Sequence, residues 1–359
     1  MINPSFWAGR RVLLTGHSGF KGGWMSLWLQ KMGADLLGFS LDLPSHPNLY
    51  EAAQIGNGMR AVRGDLRNLG DVTAAISTHQ PEVVIHMAAQ STVRYSYTHP
   101  VETYATNVMG SVHILEAVRQ CPSVRSVVMV TTDKCYENKE WVWGYRENEA
   151  MGGYDPYSNS KGCVELVTSS FRDSFFNLDQ FDKHRVALSS VRAGNVIGGG
   201  DWGADRLVPD LVRAFMEKRA PVIRNPLATR PWQHVMEPVC GYLMLAERLY
   251  EKGAPFAEAW NFGPDDAGTR TVQWIADSLV SLWGDGVCWD LDKGANPHEA
   301  LSLRLDCSKA RAQLGWKPVW TLETALEKIV EWYKAFAAGQ DMSAVTLAQL
   351  NAFEEACGL

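Results

Sequence analysis

The sequence predicts an α/β protein, an open and doubly wound parallel sheet followed by a smaller C-terminal α/β domain. Three observations predict it. Over the first 195 residues, short apolar runs alternate with helical segments. The apolar runs are continuous rather than alternating, as expected of strands covered by helices on both faces. A glycine-rich turn joins the first strand to the first helix, which is the βα order of a doubly wound fold.

The elements follow in order. "RRVLLTG" is the first strand and ends at Gly16. "KGGWMSLWLQKMG" has Trp24, Leu27, Trp28 and Met32 at helical spacing. "DLLGFSLD" and "MRAVRGDL" are short strands, "DVTAAISTHQ" is a helix, and "PEVVIHMAA" is a fourth strand. "PVETYATNVMGSVHILEAVRQ" reads as one long helix. "SVRSVVMVTT" follows as a strand whose apolar run covers Val127 to Thr131, and "PYSNSKGCVELVTSSFRDSFF" as a helix. "HRVALSSVRAGNV" supplies one more strand. After about residue 195 the rhythm breaks in the polar, glycine-rich "GGGDWGADR". Helices are expected near 206–218, 236–252, 271–283 and 322–338, with strands near 221–225, 259–263 and 287–291. The expected domains are 1–190 and 191–359, with part of 235–253 packing back on the first. No internal repeat or low-complexity segment is visible.

Composition narrows the function. At 46% hydrophobic and 21% charged, the chain can bury a core. The net charge is −6 and no Lys/Arg run forms a stripe, so nucleic acid is not an expected partner. No apolar stretch reaches the length of a membrane span, and a cytoplasmic protein is expected. The cysteines number seven with no C-x-x-C pair, so neither a zinc site nor a disulfide framework is expected. Most of the 14 tryptophans are expected in the core.

The loop "LLTGHSGFKGG" carries Gly16, Gly19 and Gly22, with Phe20 and Lys21 between. Glycines there permit a tight turn and close approach to a pyrophosphate, and the helix N-terminus offers free N–H groups. Asp42 ends the second strand, where a carboxylate accepts the ribose hydroxyls of an adenosine and repels a 2′-phosphate. NAD is therefore expected over NADP. Asp65 and Leu66 end the third strand, where Asp65 can meet the adenine. Ala88, Ala89 and Gln90 end the fourth with small residues where a cofactor passes. "YSNSK" places Tyr157 and Lys161 one turn apart on a helix, where the ammonium is expected to favour the phenolate.

Together these motifs resemble the extended short-chain dehydrogenase/reductase family of NAD-dependent epimerases and dehydratases. The resemblance covers "TGHSGFKG", Asp42, "GDL", "HMAAQ", "TNVMGS", the "TTD" strand end, "YSNSK" and "DCSKARAQLGWKP", nearly the whole chain. It implies a Rossmann-type NAD domain at 1–190 and a nucleotide-sugar domain at 191–359. It implies that Asn107 and Thr131 join the cofactor contacts, and that Thr132 orients the hydroxyl to be oxidised. Asp133 and Lys134, next in the chain, form the acid–base pair that family epimerases lack. "TTDKCYENKEW", "RAGNVIGGGDWGADRLVPD" and "RPWQHV" are similar to the 4,6-dehydratase branch acting on CDP-glucose.

The implied chemistry is an internal redox cycle. Tyr157 and Thr132 handle the 4-hydroxyl, Lys134 takes the C5 proton, and Asp133 protonates the departing C6 hydroxyl. A lysine can accept that proton only when neutral. The resemblance implies substrate contacts at Arg94, Arg192, Asn195, Arg206, Leu207, Arg230 and His298. The dTDP-sugar relatives carry an arginine where His298 stands. Trp202 and Trp232 are candidates either to stack on the base or to pack the core. The helices containing Thr103, Val108, Val112, Leu115 and Val118 and containing "YSNSK" resemble the family's pairing faces. They imply a four-helix bundle in a homodimer, with a tetramer left open. The product is implied to feed bacterial deoxysugars such as those of O-antigen. The alternatives are another sugar-nucleotide 4,6-dehydratase, a 4-epimerase, or an NAD-sensing regulator on the same fold.

Overall fold

The computed structural model describes residues 2–43, 45–292, 294 and 300–359. The strands as far as residue 193, all in the main sheet, are β1 (Arg11–Thr15), β2 (Asp35–Ser40), β3 (Arg60–Arg63), β4 (Val83–His86), β5 (Ser126–Val130) and β6 (Ala187–Ala193). The later strands are β7 (Asn195–Ile197), β8 (Val222–Ile223), β9 (Thr229–His234), β10 (Ala259–Phe262), β11 (Thr269–Thr271) and β12 (Asp290–Leu291), of which β10 returns to the main sheet. Seven strands form one parallel sheet in the order β10-β6-β5-β4-β1-β2-β3. The order reverses direction on either side of β1 and β4, and the carboxyl ends there open a crevice, the usual ligand position in such sheets.

β5 shows why the sheet reads as it does in the sequence. Val128 and Val130 enter one core, while Val127 and Met129 enter another on the opposite face. Alternate side chains point to opposite faces, so both faces must be apolar. Six tryptophans (Trp7, Trp24, Trp28, Trp260, Trp316 and Trp332) are fully buried, as expected. Trp141 and Trp143 are exposed instead.

The second half departs from expectation in particular places. The strand near 259–263, expected in the smaller domain, is β10 and completes the main sheet beside β6. β10 and β6 itself, which runs to Ala193, carry the sheet past residue 190, and helix Met236–Lys252, from the segment expected to pack back on the first domain, lies against β5 and β6. The segment expected as one strand through Val196 breaks at Gly194, where a side chain would meet Pro231 at 2.5 Å. Beyond the break, β7, β9 and β11 form a three-stranded sheet, and β8 pairs with β12. The helix Met342–Cys357 has no counterpart in the sequence reading. The single helix expected over 100–120 is interrupted by a wide turn at Ala105–Met109, which carries Asn107. Such turns inside helices recur near functional sites.

Candidate active site

One cleft of about 1550 Å³ runs from the glycine loop, past the end of β5, to the segment 200–230. It collects nearly every residue singled out in the sequence.

The dinucleotide half is built on backbone. Gly16 has φ +74°, and a Cβ on it would stand 2.8 Å from the Ala88 nitrogen. A Cβ on Gly22 would stand 2.0 Å from the Gly16 carbonyl oxygen. Only glycine permits this closeness. Helix Phe20–Lys31 begins at Gly19 with no side-chain cap, leaving its first amides for an anion. Thr15 Oγ1 accepts from the Met87 and Ala88 amides at 3.1 Å each and sets the Ala88–Gln90 wall. Asp42 is exposed at the cleft rim and pairs with Arg63 at 2.5 Å. Arg67 binds the Asp65 carboxylate and holds it below the usual carboxylate range. Leu66 packs under Gly110 and lines the cleft. These features fit a dinucleotide: a tight loop, uncapped helix amides and a carboxylate at the ribose position.

Asn107 does not line the cleft. Its side chain accepts from the Gln90 amide at 2.8 Å and donates to the Gln90 carbonyl and to Ser160, so it shapes the wall from behind. Lys21 lies within the cleft, its ammonium 5.7 Å from the centre of the Tyr242 ring. Burial, then the charges of Lys161 and Arg206, lower its pKa to about 8.

The groups expected to react meet at the end of β5. The Thr132 hydroxyl donates to Asp133 Oδ1 at 3.0 Å and caps the short turn Asp133–Cys135. Asp133 Oδ2 is buried without a hydrogen-bond partner. Burial raises the Asp133 pKa, against Lys134, Thr132 and Arg230. A buried orphan acceptor is costly unless something arrives to use it. Asp155 caps helix Pro156–Ser174 through the Ser158 amide at 2.9 Å, and Pro156 occupies its first turn. That helix carries Tyr157 and Lys161 into the cleft. Lys161 Nζ donates to the Val130 carbonyl at 3.1 Å, and burial lowers its pKa to about 8. Tyr157 differs from expectation: burial pushes its phenol up to about 12, with Thr132 and Arg206 pulling the other way. Desolvation of the phenolate outweighs the cations.

In the substrate half, Arg94 pairs with Asp205 at 3.4 Å. Arg206 is gripped by both oxygens of Asp201, at 2.9 and 3.0 Å, and reaches Ser91 at 3.0 Å. Leu207 opens helix Leu207–Met216, Asn195 opens β7, and Arg230 donates to the Thr229 and Ala300 carbonyls; all three line the cleft. Arg192 does not line the cleft. It is 3% exposed and pairs with Glu165 at 2.8 Å beneath the site, because its strand position faces the helix rather than the opening. His298 lies outside the described residues. Trp202 packs edge-on to Tyr333, and Trp232 donates to the Arg270 carbonyl; both are buried. Sequence reasoning missed Arg224, which lines the cleft and pairs with Asp205 at 3.6 Å, since no motif surrounds it. It also missed Asp201 and Tyr242. Among the described residues no group of three His, Cys, Asp or Glu could hold a metal, and no helix is long and apolar enough to cross a membrane.

Comparison with known proteins identifies the family. The profile of the NAD dependent epimerase/dehydratase family matches residues 12–263. The chain is 56% identical over 342 residues to a CDP-glucose 4,6-dehydratase of Salmonella typhimurium, covering 95% of each. It is 25% identical to a dTDP-glucose 4,6-dehydratase of Xanthomonas campestris, over 89% of this chain and 92% of that one. Among solved structures, a dTDP-glucose 4,6-dehydratase of Bacillus anthracis with NAD superposes with TM-score 0.75 at 20% identity, over 93% of this chain and 100% of that one. A UDP-glucose 4-epimerase of Thermotoga maritima superposes with TM-score 0.76 at 22% identity, over 90% and 99%. At such identities the superpositions speak for the fold alone.

Proposed function

The chain belongs to the NAD dependent epimerase/dehydratase family, and from that premise we infer that it converts CDP-glucose to CDP-4-keto-6-deoxyglucose and water. The observation that carries this reading is the run Thr132–Asp133–Lys134 in one cleft with Tyr157 and Lys161. An epimerase needs the tyrosine, the lysine and the hydroxyl but has no use for a buried acid with a free oxygen. The 56% identical Salmonella relative supports CDP as the nucleotide.

Gly16, Gly19, Phe20, Lys21 and Gly22 would hold the NAD pyrophosphate, Asp42 the adenosine ribose, and Tyr157 and Lys161 the nicotinamide ribose. Bound NAD supplies the acceptor and donor of the hydride. The chain's own residues do the rest. Thr132 hydrogen-bonds the glucose 4-hydroxyl and Tyr157 removes its proton. A phenol raised to about 12 is almost wholly protonated at neutral pH, so the step depends on cationic Lys161 favouring the phenolate once the site is filled. The 4-ketone makes the C5 proton acidic, and Lys134 removes it. Asp133, kept protonated by burial, gives its proton to the departing C6 hydroxyl. Arg206 and Arg230 face the diphosphate, for which guanidinium forks are suited.

Exposed Val101, Met109 and Leu166 suit pairing of the two helices with a second copy. Thr103, Leu115 and Val118 belong to the chain's own core. The reading is tested by incubating the protein with CDP-, dTDP-, UDP- and GDP-glucose and following the 4-ketone. Product from CDP-glucose alone is expected, and product from another nucleotide in preference would overturn the assignment of CDP.

A further inference from the structure

Beneath Tyr157 and Lys161 lies a charged pair that the steps above do not use. Glu165 follows Lys161 by one helical turn on the same face, as Lys161 follows Tyr157. It is 5% exposed. Its Oε1 accepts from the Thr131 hydroxyl, and its Oε2 from Ser190 Oγ at 2.6 Å and Arg192 Nη2 at 2.8 Å. Arg192 Nη1 donates to the Tyr136 hydroxyl at 2.7 Å and to the Glu147 carbonyl at 3.0 Å, and the guanidinium lies 4.8 Å from the centre of the Tyr136 ring. Every oxygen of Glu165 is therefore committed, and the carboxylate ties helix Pro156–Ser174 to the end of β5 and to β6.

A buried ion pair is weak evidence for stability, since two apolar side chains fill the same space without the cost of desolvation. Its location says more. Thr131 precedes Thr132 and Asp133 directly, and Lys161 Nζ bonds the carbonyl of Val130, one residue earlier. The two ties, Thr131 to Glu165 and Lys161 to Val130, fix the reacting strand end against the reacting helix.

Resting on the dehydratase reading, we propose that Glu165, held by Arg192, is a positioning residue that keeps Lys161 charged and locks Tyr157 opposite Thr132 and Asp133. The titratable groups that interact with the Lys161 charge are Glu165 on its own helix, Cys135 after β5, His86 at the end of β4 and Lys21 on helix Phe20–Lys31, while Tyr157 precedes it by one helical turn. Arg94 and Glu102, on helices packed against this one, are committed to Asp205 and to Tyr95. Of these groups, Glu165 does most to raise the Lys161 pKa against burial.

The test is Glu165→Gln, which keeps the shape and removes the charge. Lys161 then loses its proton at lower pH, so the alkaline limb of kcat for CDP-glucose moves down by about one pH unit, a tenfold change in that equilibrium. KM stays within about twofold, because Glu165 touches no substrate. Glu165→Asp restores the position of the limb at reduced kcat. Since Glu165→Gln strands Arg192, the double variant Glu165→Gln/Arg192→Met is carried alongside, and the same shift is expected from it. NMR titration of lysine labelled at Cε, without substrate, reads Lys161 directly and is expected to move in the same direction. A uniform loss of kcat with neither the limb nor the Lys161 titration displaced would reduce Glu165 to a structural part and overturn the proposal. A wild-type protein that makes no 4-keto product would instead overturn the dehydratase reading, while the titration would still decide the role of Glu165.

Discussion

Asp133 and Lys134 are neighbours in the chain, yet they meet different surroundings. Asp133 is 2% exposed with Oδ2 unpartnered, whereas Lys134 is half-buried at the cleft wall. The division of labour we propose between acid and base rests on that difference and is separable by mutation. Asp133→Asn is expected to cut dehydration by about 10²–10⁴-fold, the usual worth of a general acid. Exchange of the C5 proton with deuterated solvent should continue, because Lys134 and the 4-ketone remain. Lys134→Ala is expected to stop that exchange; full exchange in this variant would remove Lys134 from its role. These residues were legible because they follow one another at the end of a readable strand, as Tyr157 and Lys161 do on a readable helix. Arg192 was not. An arginine on a strand buried on both faces can point either way, and its destination is decided by Glu165, 27 residues away.

At the scale of elements, we assign the choice of cofactor to the glycine loop and the end of β2. Gly22→Ala places a methyl 2.0 Å from the Gly16 carbonyl oxygen, so the loop must open. NAD affinity is expected to fall by about tenfold or more, read by calorimetry, with the rest of the fold retained. Asp42→Ala releases Arg63 from its 2.5 Å pair at the same rim. The preference for NAD over NADP is expected to shrink by about tenfold, since a carboxylate is lost and a guanidinium freed. Unchanged preference would mean that the adenosine ribose lies elsewhere. The strands of the main sheet were legible from unbroken apolar runs. Helix Met342–Cys357 was not, because Thr346 and Gln349 are among the residues it buries and its apolar period is broken. β9 was equally hidden: "TRPWQH" is almost wholly buried yet contains an arginine, a proline, a glutamine and a histidine.

For the molecule as a whole, the returning chain is held by buried carboxyls. Glu237, at the start of helix Met236–Lys252, accepts from the Val319 and Trp320 amides at 3.0 and 2.7 Å. Glu247 accepts from the Asn3 amide and Trp7 Nε1 at 2.9 and 2.7 Å. Burial raises each to about 7. A carboxyl raised in the folded state favours folding while protonated. Its contribution is full below about 4.5 and is lost as pH rises through about 7, by up to about 3 kcal/mol per group. His86 and His234, each lowered to about 3 by burial, act oppositely: their contribution is present above about 6.5 and lost as pH falls. The difference between variants isolates one group. Between pH 5 and 8 the wild type should lose stability relative to Glu237→Gln, read from urea midpoints at each pH. A constant difference would place the Glu237 titration outside that window. The whole-molecule layout was legible only in part. β10 joins β6 some 70 residues after it in the chain, and no local pattern marks that pairing.

The most direct measurement is mass spectrometry of CDP-glucose turned over in deuterated water with catalytic NAD. Loss of one water with one solvent deuteron at C5 is the predicted result, because in the proposed mechanism Lys134 removes that proton and solvent replaces it. Unchanged mass with inverted configuration at C4 would contradict the account and leave Asp133 and Lys134 without their chemistry.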